Sequence, residues 1–340
     1  MKKLKIVLFK GYFGQSLPTP KSINTEDIKN HLEQENFDVS FCEVEDLQNE
    51  DIDPNTYYLF GSHQNPDVKK YYDDVVSILF PDSRNCIPIA KYILAHENKG
   101  VQTLLNQSLE LGMPNQSYKV VNSPKKLNDY GRVHKLVSGS GSSGVFLPLR
   151  VKELFKKFWA NLLLNLTISE LVSYTKLNIK NVLGFVDKDT FEYYSKYLRI
   201  VTQDTLKSVG YDYKVLVFGK TCFVLKRNVR PNDFRSSGSG LFEFIEADES
   251  LLQFALDFKE KLSVPYVSLD IMSMVGSPGK YACIEFQCTH FGPYTKNHAP
   301  FGYEFIEQWS KIPNSKSLEE IMAKSIAMYI NDIENPKVVI

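Results

Sequence analysis

Val267-Ser268-Leu269-Asp270-Ile271-Met272-Ser273-Met274-Val275, Gly276-Ser277-Pro278-Gly279, Lys280-Tyr281-Ala282-Cys283-Ile284-Glu285-Phe286-Gln287-Cys288: two β-rich runs flank a turn tetrapeptide, which predicts a hairpin. With Val275 opposite Lys280, counting back along both strands brings Asp270 opposite Glu285. Alternation puts Gln287 on the face of Glu285, with Ala282, Ile284 and Phe286 on the other. Two carboxylates on one rung repel. A divalent cation held between them removes the repulsion, and Mg²⁺ favours hard oxygen ligands of this kind. Asp270, Glu285 and Gln287 are therefore the candidate metal ligands. The competing reading is an exposed acidic patch, or a bulge that moves one carboxylate aside.

Upstream, Tyr211–Lys220 and a second run ending at Arg227 read as strands, followed by Asn228–Gly240. Lys214, Lys226, Arg227, Arg230 and Arg235 crowd this stretch, although the chain balances 40 basic against 40 acidic residues. They suit a cradle for a triphosphate and a phosphorylated intermediate. A solvated charged strand edge is the alternative. Further upstream, a strand carrying Lys135 enters Ser138-Gly139-Ser140-Gly141-Ser142-Ser143-Gly144. Glycines allow close backbone approach, so successive N–H groups can point at an anion, with Lys135 adding a point charge. The lysine precedes the glycines, so this is not the G-x-x-x-x-G-K-[ST] loop. Alone, the runs 138–144 and 236–240 read as flexible linkers; the strand-like flanks of the first argue for a loop.

The N-terminal 98 residues alternate strand and helix signals, predicting a small parallel α/β sheet with ligand-facing loops at Gly11–Gln15 and Gly61–Asn65. Met1–Phe9 mimics the start of a signal peptide. Its apolar run is only Ile6–Phe9, and no small-residue cleavage site follows, so a buried first strand is expected. A helix starts at Lys99, a long amphipathic one at Val151, and a closing one near residue 317. No apolar stretch reaches the roughly 18 residues that span a bilayer. Zero formal net charge argues against a dedicated nucleic-acid binder. Five cysteines without C-x-x-C spacing suggest buried thiols in a reducing compartment, hence a cytoplasmic protein.

The order of these motifs resembles the ATP-grasp superfamily, in particular the ribosomal-protein glutamate ligases and their bacterial relatives, from about Glu97 to Pro293. Asn98-Lys99 resembles the element whose lysine contacts nucleotide phosphate. Val133–Val145 looks like the second lysine and the lid loop. Asp212-Tyr213-Lys214-Val215 with Val217-Phe218-Gly219 resembles the Asp-x-Arg-x-x-Val-Val-Gly strand. Arg227 and Asp233-Phe234-Arg235-Ser236 keep the spacing of that branch's Arg and Asp-Phe-Arg-Ser. Ser268–Ile271 and Ile284–Gln287 look like its Val-Asp-Ile and Glu-x-Asn, the metal-binding pair. Three departures stand out: Gln287 replaces Asn, Lys214 replaces Arg, and the adenine hinge is at best Val201-Thr202-Gln203-Asp204-Thr205-Leu206. Residues 151–198 look like an enlarged lid for which the family offers no role.

The resemblance implies an α/β fold of the ATP-grasp kind: an N-terminal parallel α/β domain (1–98), then a two-lobed module made of a lid lobe (99–206) and a metal-site lobe (207–340). It implies ATP with one or two Mg²⁺ ions. ATP would be held by Lys99, Lys135, the Ser138–Gly144 loop, Gln203 and Lys214. Catalytic roles fall to Arg227 and Arg235, and the metal to Asp270, Glu285 and Gln287. The implied reaction is ligation of a small-molecule, peptide or sugar-acid carboxylate to an amine through an acylphosphate. A kinase that stops at phosphoryl transfer, and a nucleotide binder without catalysis, are the alternatives. A homodimer is compatible with this reading; a nucleic-acid or membrane partner is not expected.

Overall fold

The computed structural model describes the chain apart from residues 15–22, 82–83, 128, 140–143, 208, 232, 237 and 336–340. The polypeptide divides into two units, Met1–Met113 with Leu206–Ile340, and Pro114–Thr205.

The first unit begins with β1 (Lys2–Leu8), α1 (Thr25–Gln34), β2 (Phe37–Glu43), β3 (Thr56–Phe60), α2 (Pro66–Leu79), β4 (Cys86–Ile87), α3 (Ala90–Ala95) and α4 (Lys99–Leu109). Asparagines start three of these helices. The side chains of Asn24, Asn65 and Asn98 accept hydrogen bonds from first-turn N–H groups that have no helical partner. The strands form a parallel sheet in the order β2-β1-β3-β4. The chain runs outward from β1 to β2, then returns to β3 on the other side of β1. This reversal is the switch point where open α/β sheets bind ligands. The loops after β1 and β3 meet there, so closely that a Cβ on Gly61 would lie 2.8 Å from the Gly14 nitrogen.

The second unit holds β5 (Gln116–Val121), β6 (Val133–Leu136), β7 (Val145–Phe146), α5 (Val151–Leu164), α6 (Ile168–Val182), α7 (Lys188–Tyr194) and β8 (Leu198–Gln203). Its antiparallel sheet has the order β5-β8-β6-β7. β6 and β7 pair directly, so the Ser/Gly run between them connects two strands of one sheet and is no linker between domains. Leu154, Phe158 and Leu162 of α5 pack against Val121, Leu198 and Ile200. A capping box of Thr167 and Glu170 starts α6.

The chain returns to the first unit with β9 (Tyr211–Phe218), β10 (Thr221–Asn228), β11 (Phe242–Glu243), α8 (Glu249–Leu262), β12 (Tyr266–Ser273), β13 (Tyr281–Gln287), α9 (Tyr294–His298), β14 (Phe301–Phe305), β15 (Trp309–Pro313) and α10 (Leu318–Glu334). The sheet runs β13-β12-β9-β10-β14-β15, with β11 also on β10, so the run 236–240 is again a connection within a sheet. Val215, Val217, Val267, Leu269 and Ile271 face α8. On the other face Leu216, Phe218, Phe223 and Tyr266 join α10, α1 and β1. Residues 1–98 therefore share a core with the C-terminal sheet. Burying each such Leu or Phe contributes roughly 1.5–3 kcal/mol. None of the five cysteines forms a disulfide, and all are buried. Among the described residues no helix is long and apolar enough to cross a membrane.

Candidate active site

The inner face of the C-terminal sheet changes character along its strands. On β9 the alternate positions Phe218 and Leu216 are core, while Lys214 and Asp212 continue the same face with charge. On β12 the corresponding run is Tyr266, Ser268 and Asp270. The apolar end anchors the strands on α10 and β1, and the charged end forms the site.

Asp270 pairs with Glu285, and Ser268 with Gln287, across β12 and β13. The expected opposition of the two carboxylates is therefore present, by a different route. Met274, not Val275, donates to Lys280 O at the turn. A bulge between Asp270 and Ile271, with Ile284 as the extra residue of β13, restores the register.

The opposed carboxylates are neutralised by side chains. Arg227 donates from Nε and Nη2 to Asp212 at 2.7 and 3.0 Å, and its Nη2 lies 2.9 Å from Asp270 Oδ2. Lys214 Nζ donates to Asp270 Oδ1 at 3.0 Å. Lys99 Nζ lies 3.3 Å from Glu285 Oε1. The charge opposition that was expected to require a divalent ion is thus already balanced by three cations. Burial alone would raise the Asp270 carboxyl, but Arg227 and then Lys214 outweigh it and hold the group well below the usual carboxylate range. Burial would likewise lower the Lys99 ammonium; Glu285 and Glu97 keep it above its ordinary value.

The start of α4 is tied to this ladder. Gln102 Nε2 donates to Phe286 O at 2.8 Å and to Ala95 O at 3.0 Å. The Glu97 N–H donates to Gln287 Oε1 at 3.3 Å from a left-handed backbone, φ 48°. Glu97 is a carboxylate that sequence reasoning passed over, although it directly precedes Asn98-Lys99. Burial first, then neighbouring Glu285, pushes it above the ordinary range.

The donor set suits a hard cation: two carboxylates and an amide oxygen in adjacent positions of one ladder. Among the described residues no group of three or more His, Cys, Asp or Glu side chains is arranged to hold a metal, the third donor here being an amide. Arg235, expected beside Arg227, is engaged with Asp233 through Nε and Nη2 at 3.0 and 2.7 Å.

In the second unit Lys135 is buried on β6 opposite Val201 and Val145. Gln203 lies on β8 beside Gln116 and Val133, with its Oε1 buried and without a hydrogen bond. The hinge expected at 201–206 begins as this strand. Ser138, Gly139 and Gly144 belong to the β6–β7 connection. Gly144 is left-handed, and a Cβ there would meet the Leu136 side chain at 2.9 Å. Ser140, Gly141, Ser142 and Ser143 lie outside the described residues.

A second polar cluster in the first unit includes Ser62, from the Gly61–Asn65 loop expected to face a ligand, together with two histidines the sequence reading did not single out. Ser62, His96 and His290 are 0, 2 and 7% exposed. Both ring nitrogens of His290, Nε2 of His96 and Oγ of Ser62 make no hydrogen bond. The His96 and His290 rings lie 4.5 Å apart, and His96 Nδ1 is 2.7 Å from Thr289 Oγ1. Burial, then His63, pushes His290 down to about 4; burial, then His290, pushes His96 well below its ordinary value. Gly14 covers His290 so closely that a Cβ would approach the ring to 2.6 Å. Thr289-His290 directly follows the metal-ligand motif, which was the signal available for that histidine.

No protein-family model and no curated protein matches the chain. Solved structures do match over nearly the whole length. A RiPP-associated ATP-grasp ligase of Chryseobacterium gregarium, in complex with ADP and a leader and core peptide, aligns with TM-score 0.53 and 11% identity, covering 98% of this chain and 97% of its own. The D-cycloserine synthetase DcsG aligns at 0.53 and 8%, covering 96 and 98%. A D-alanine–D-alanine ligase from Bacillus anthracis aligns at 0.50 and 14%, covering 98 and 100%. At these identities the likeness establishes the fold, which is that of ATP-grasp ligases from diverse branches.

Proposed function

We propose that this chain is an ATP-dependent carboxylate–amine ligase. The observation that carries the reading is the ladder of Asp270, Glu285 and Gln287 ringed by Lys99, Lys214 and Arg227, on a fold shared with ligases. Phosphoryl transfer to a carboxylate requires positioning and charge neutralisation more than covalent chemistry from the protein. In the proposed reaction a substrate carboxylate oxygen attacks the γ-phosphorus of ATP and ADP leaves. The amine nitrogen then attacks the acyl carbon, the C–O bond to phosphate breaks, inorganic phosphate departs with the electron pair, and the amine's surplus protons pass to solvent.

Arg227, clamped by Asp212, fixes the orientation of Asp270. Asp270, Glu285 and Gln287 would hold one or two Mg²⁺ ions, which when bound neutralise phosphate oxygens. Lys99 is the cation an ion would displace from Glu285, leaving its ammonium for phosphate. The resemblance assigns Lys135, the 138–144 loop, Gln203 and Lys214 to ATP as well, and the Asp233-Phe234-Arg235-Ser236 motif supports kinship with the glutamate-ligase branch.

Two measurements test the reading. Mg-ATP at about 100 times its dissociation constant should stabilise the protein by roughly 2.7 kcal/mol in thermal melts, while ATP with chelator should stabilise it far less. A melt unmoved by Mg-ATP removes the nucleotide assignment. Lys135→Ala should weaken a non-hydrolysable ATP analogue in calorimetric titration; unchanged affinity takes this lysine out of the site. ADP release accompanied by a stable phosphorylated product, without amide, would point to the kinase instead.

A further inference from the structure

The helical stretch of the second unit, residues 151–198, has no part in the carboxylate ladder or its cations. Within it, α6 is turned the wrong way round for a helix that serves only its own core. It docks through Tyr174, which joins the cluster under α5, and Glu170 in its first turn accepts from Lys196 at 2.9 Å. Its most apolar side faces solvent. Ile168, Val172, Ile179 and Val182 are 84, 47, 55 and 83% exposed, and exposed Thr175 completes their row. At about 100° per residue these five positions fall within about 40° of one line along the helix. Their steps of 4, 3, 4 and 3 residues are those of a coiled-coil seam, which packs against another helix. The ends extend the row: Leu164 just before α6, and Leu183 and Phe185 just after it, are also exposed. Together these side chains leave on the order of 1,000 Å² uncovered, beyond the roughly 300–600 Å² of the largest apolar patch on a typical monomer.

We infer that two copies of this chain meet along this seam, α6 against α6 in antiparallel orientation. The seam lies within the second unit and stands apart from the ligase reading. From Ile168 to Ile179 the row steps 4-3-4 and reads the same from either end. An antiparallel copy therefore sets Ile168 against the partner's Ile179 and Val172 against the partner's Thr175, and each layer recurs by symmetry. That is the self-complementarity a two-fold interface requires. The same register carries Leu183 towards the partner's Leu164, so the exposed ends cover one another. Lys176, at the edge of the seam, meets the partner's Ser169 and no second lysine. The uncovered area is enough for the roughly 800 Å² that each partner gives to a stable interface. A lipid surface fits less well, because it takes a wide apolar face bordered by basic residues. Here the face is a narrow seam. Lys176 and Lys180 stand on one shoulder of it, and the other shoulder turns into the unit at Tyr174.

Sedimentation equilibrium of the full chain tests this. The 39.0 kDa chain should form a concentration-dependent dimer. A chain that stays monomeric through the micromolar range overturns the proposal, and binding of that monomer to phosphatidylglycerol vesicles would assign the seam to lipid instead. Ile168→Glu puts a carboxylate into the seam and should weaken the dimer about a hundredfold or more, as should Ile179→Lys. Both positions are exposed in the single chain, and both charges agree with the helix dipole, so α6 itself should keep its helical circular dichroism. Ile78→Glu, on an exposed position of α2, should leave the dimer intact. Mixing the Ile168→Glu and Ile179→Lys chains should restore a dimer, because antiparallel pairing sets the new carboxylate against the new ammonium. A dimer that survives both single changes overturns the seam. A mixture no tighter than either variant alone overturns the antiparallel pairing.

Discussion

Two buried polar clusters stand side by side in the first unit, and they are finished differently. Around Asp212, Lys214, Arg227 and Asp270, each carboxylate meets a cation within 3.0 Å. Around Ser62, His96 and His290, neutral groups are buried equally deeply with atoms left over. Paired charges are expensive to break singly, because the surviving partner is stranded. Unpaired neutral groups are expensive to keep, at about 1–3 kcal/mol each. The first cluster holds itself together; the second carries polar atoms that the fold leaves unsatisfied.

The largest expected effect breaks the paired cluster. Arg227→Ala strands Asp212, leaves Asp270 with Lys214 alone, and should destabilise the protein by about 3–5 kcal/mol in urea denaturation; a loss below about 1 kcal/mol would mean the clamp is solvated. The next concerns acid. His290 titrates near 4 in the folded chain and near 6.5 when unfolded, so the unfolded chain takes up a proton that the folded chain refuses. Its contribution is complete above about pH 6.5 and is lost as pH falls to about 4, roughly 3 kcal/mol in all. Asp270, held low by Arg227 and Lys214, keeps its contribution until pH falls below about 4, the unfolded carboxylate value. The two clusters thus fail in successive windows, and stability measured between pH 7 and 3 should resolve them. A flat profile from pH 6.5 to 4 would contradict the buried neutral state of His290. The smallest effect is His290→Phe at pH 7. Removing two unsatisfied nitrogens while keeping the ring's shape should stabilise the protein by about 1–3 kcal/mol and should lessen the acid slope, His96 keeping its own share of it. A large loss at pH 7 would show that those nitrogens already have partners.

The first cluster was half legible in the sequence; of the second, only the loop carrying Ser62 was expected to face a ligand. Alternation and a turn tetrapeptide were enough to oppose Asp270 and Glu285, although the turn sits one residue from its expected place and a bulge corrects it. Local signals also marked the helix at Asn98-Lys99. What strand patterning could not supply was the source of compensating charge. It predicted that two carboxylates need a cation; Lys99 answers Glu285 from a helix 186 positions away, and Arg227 and Lys214 answer Asp270 from neighbouring strands. Pairings of that range leave no period in the sequence. The same holds for His96 and His290, which meet only because α4 is tied to β13. Strands such as β8, β14 and β15 were missed because ladder pairing, more than local composition, defines them. The two Ser/Gly runs have linker composition, yet strand pairing on both sides makes each a connection within one sheet.

The bulge at Asp270 has a consequence for how this hairpin tolerates change. The far half of β13 is moored to α4 through Phe286 and Gln287, and β12 is moored to β9 through Asp270 and Lys214. The tip, residues 274–280, belongs to neither mooring, and Ile284 absorbs the one-residue phase difference between tip and base like the slack in a vernier. Added or lost length at Ser277-Pro278 is therefore taken up before it reaches the carboxylates. The tip is the natural place to graft an epitope or fluorophore, a reporter that rides on the active-site hairpin without dephasing it.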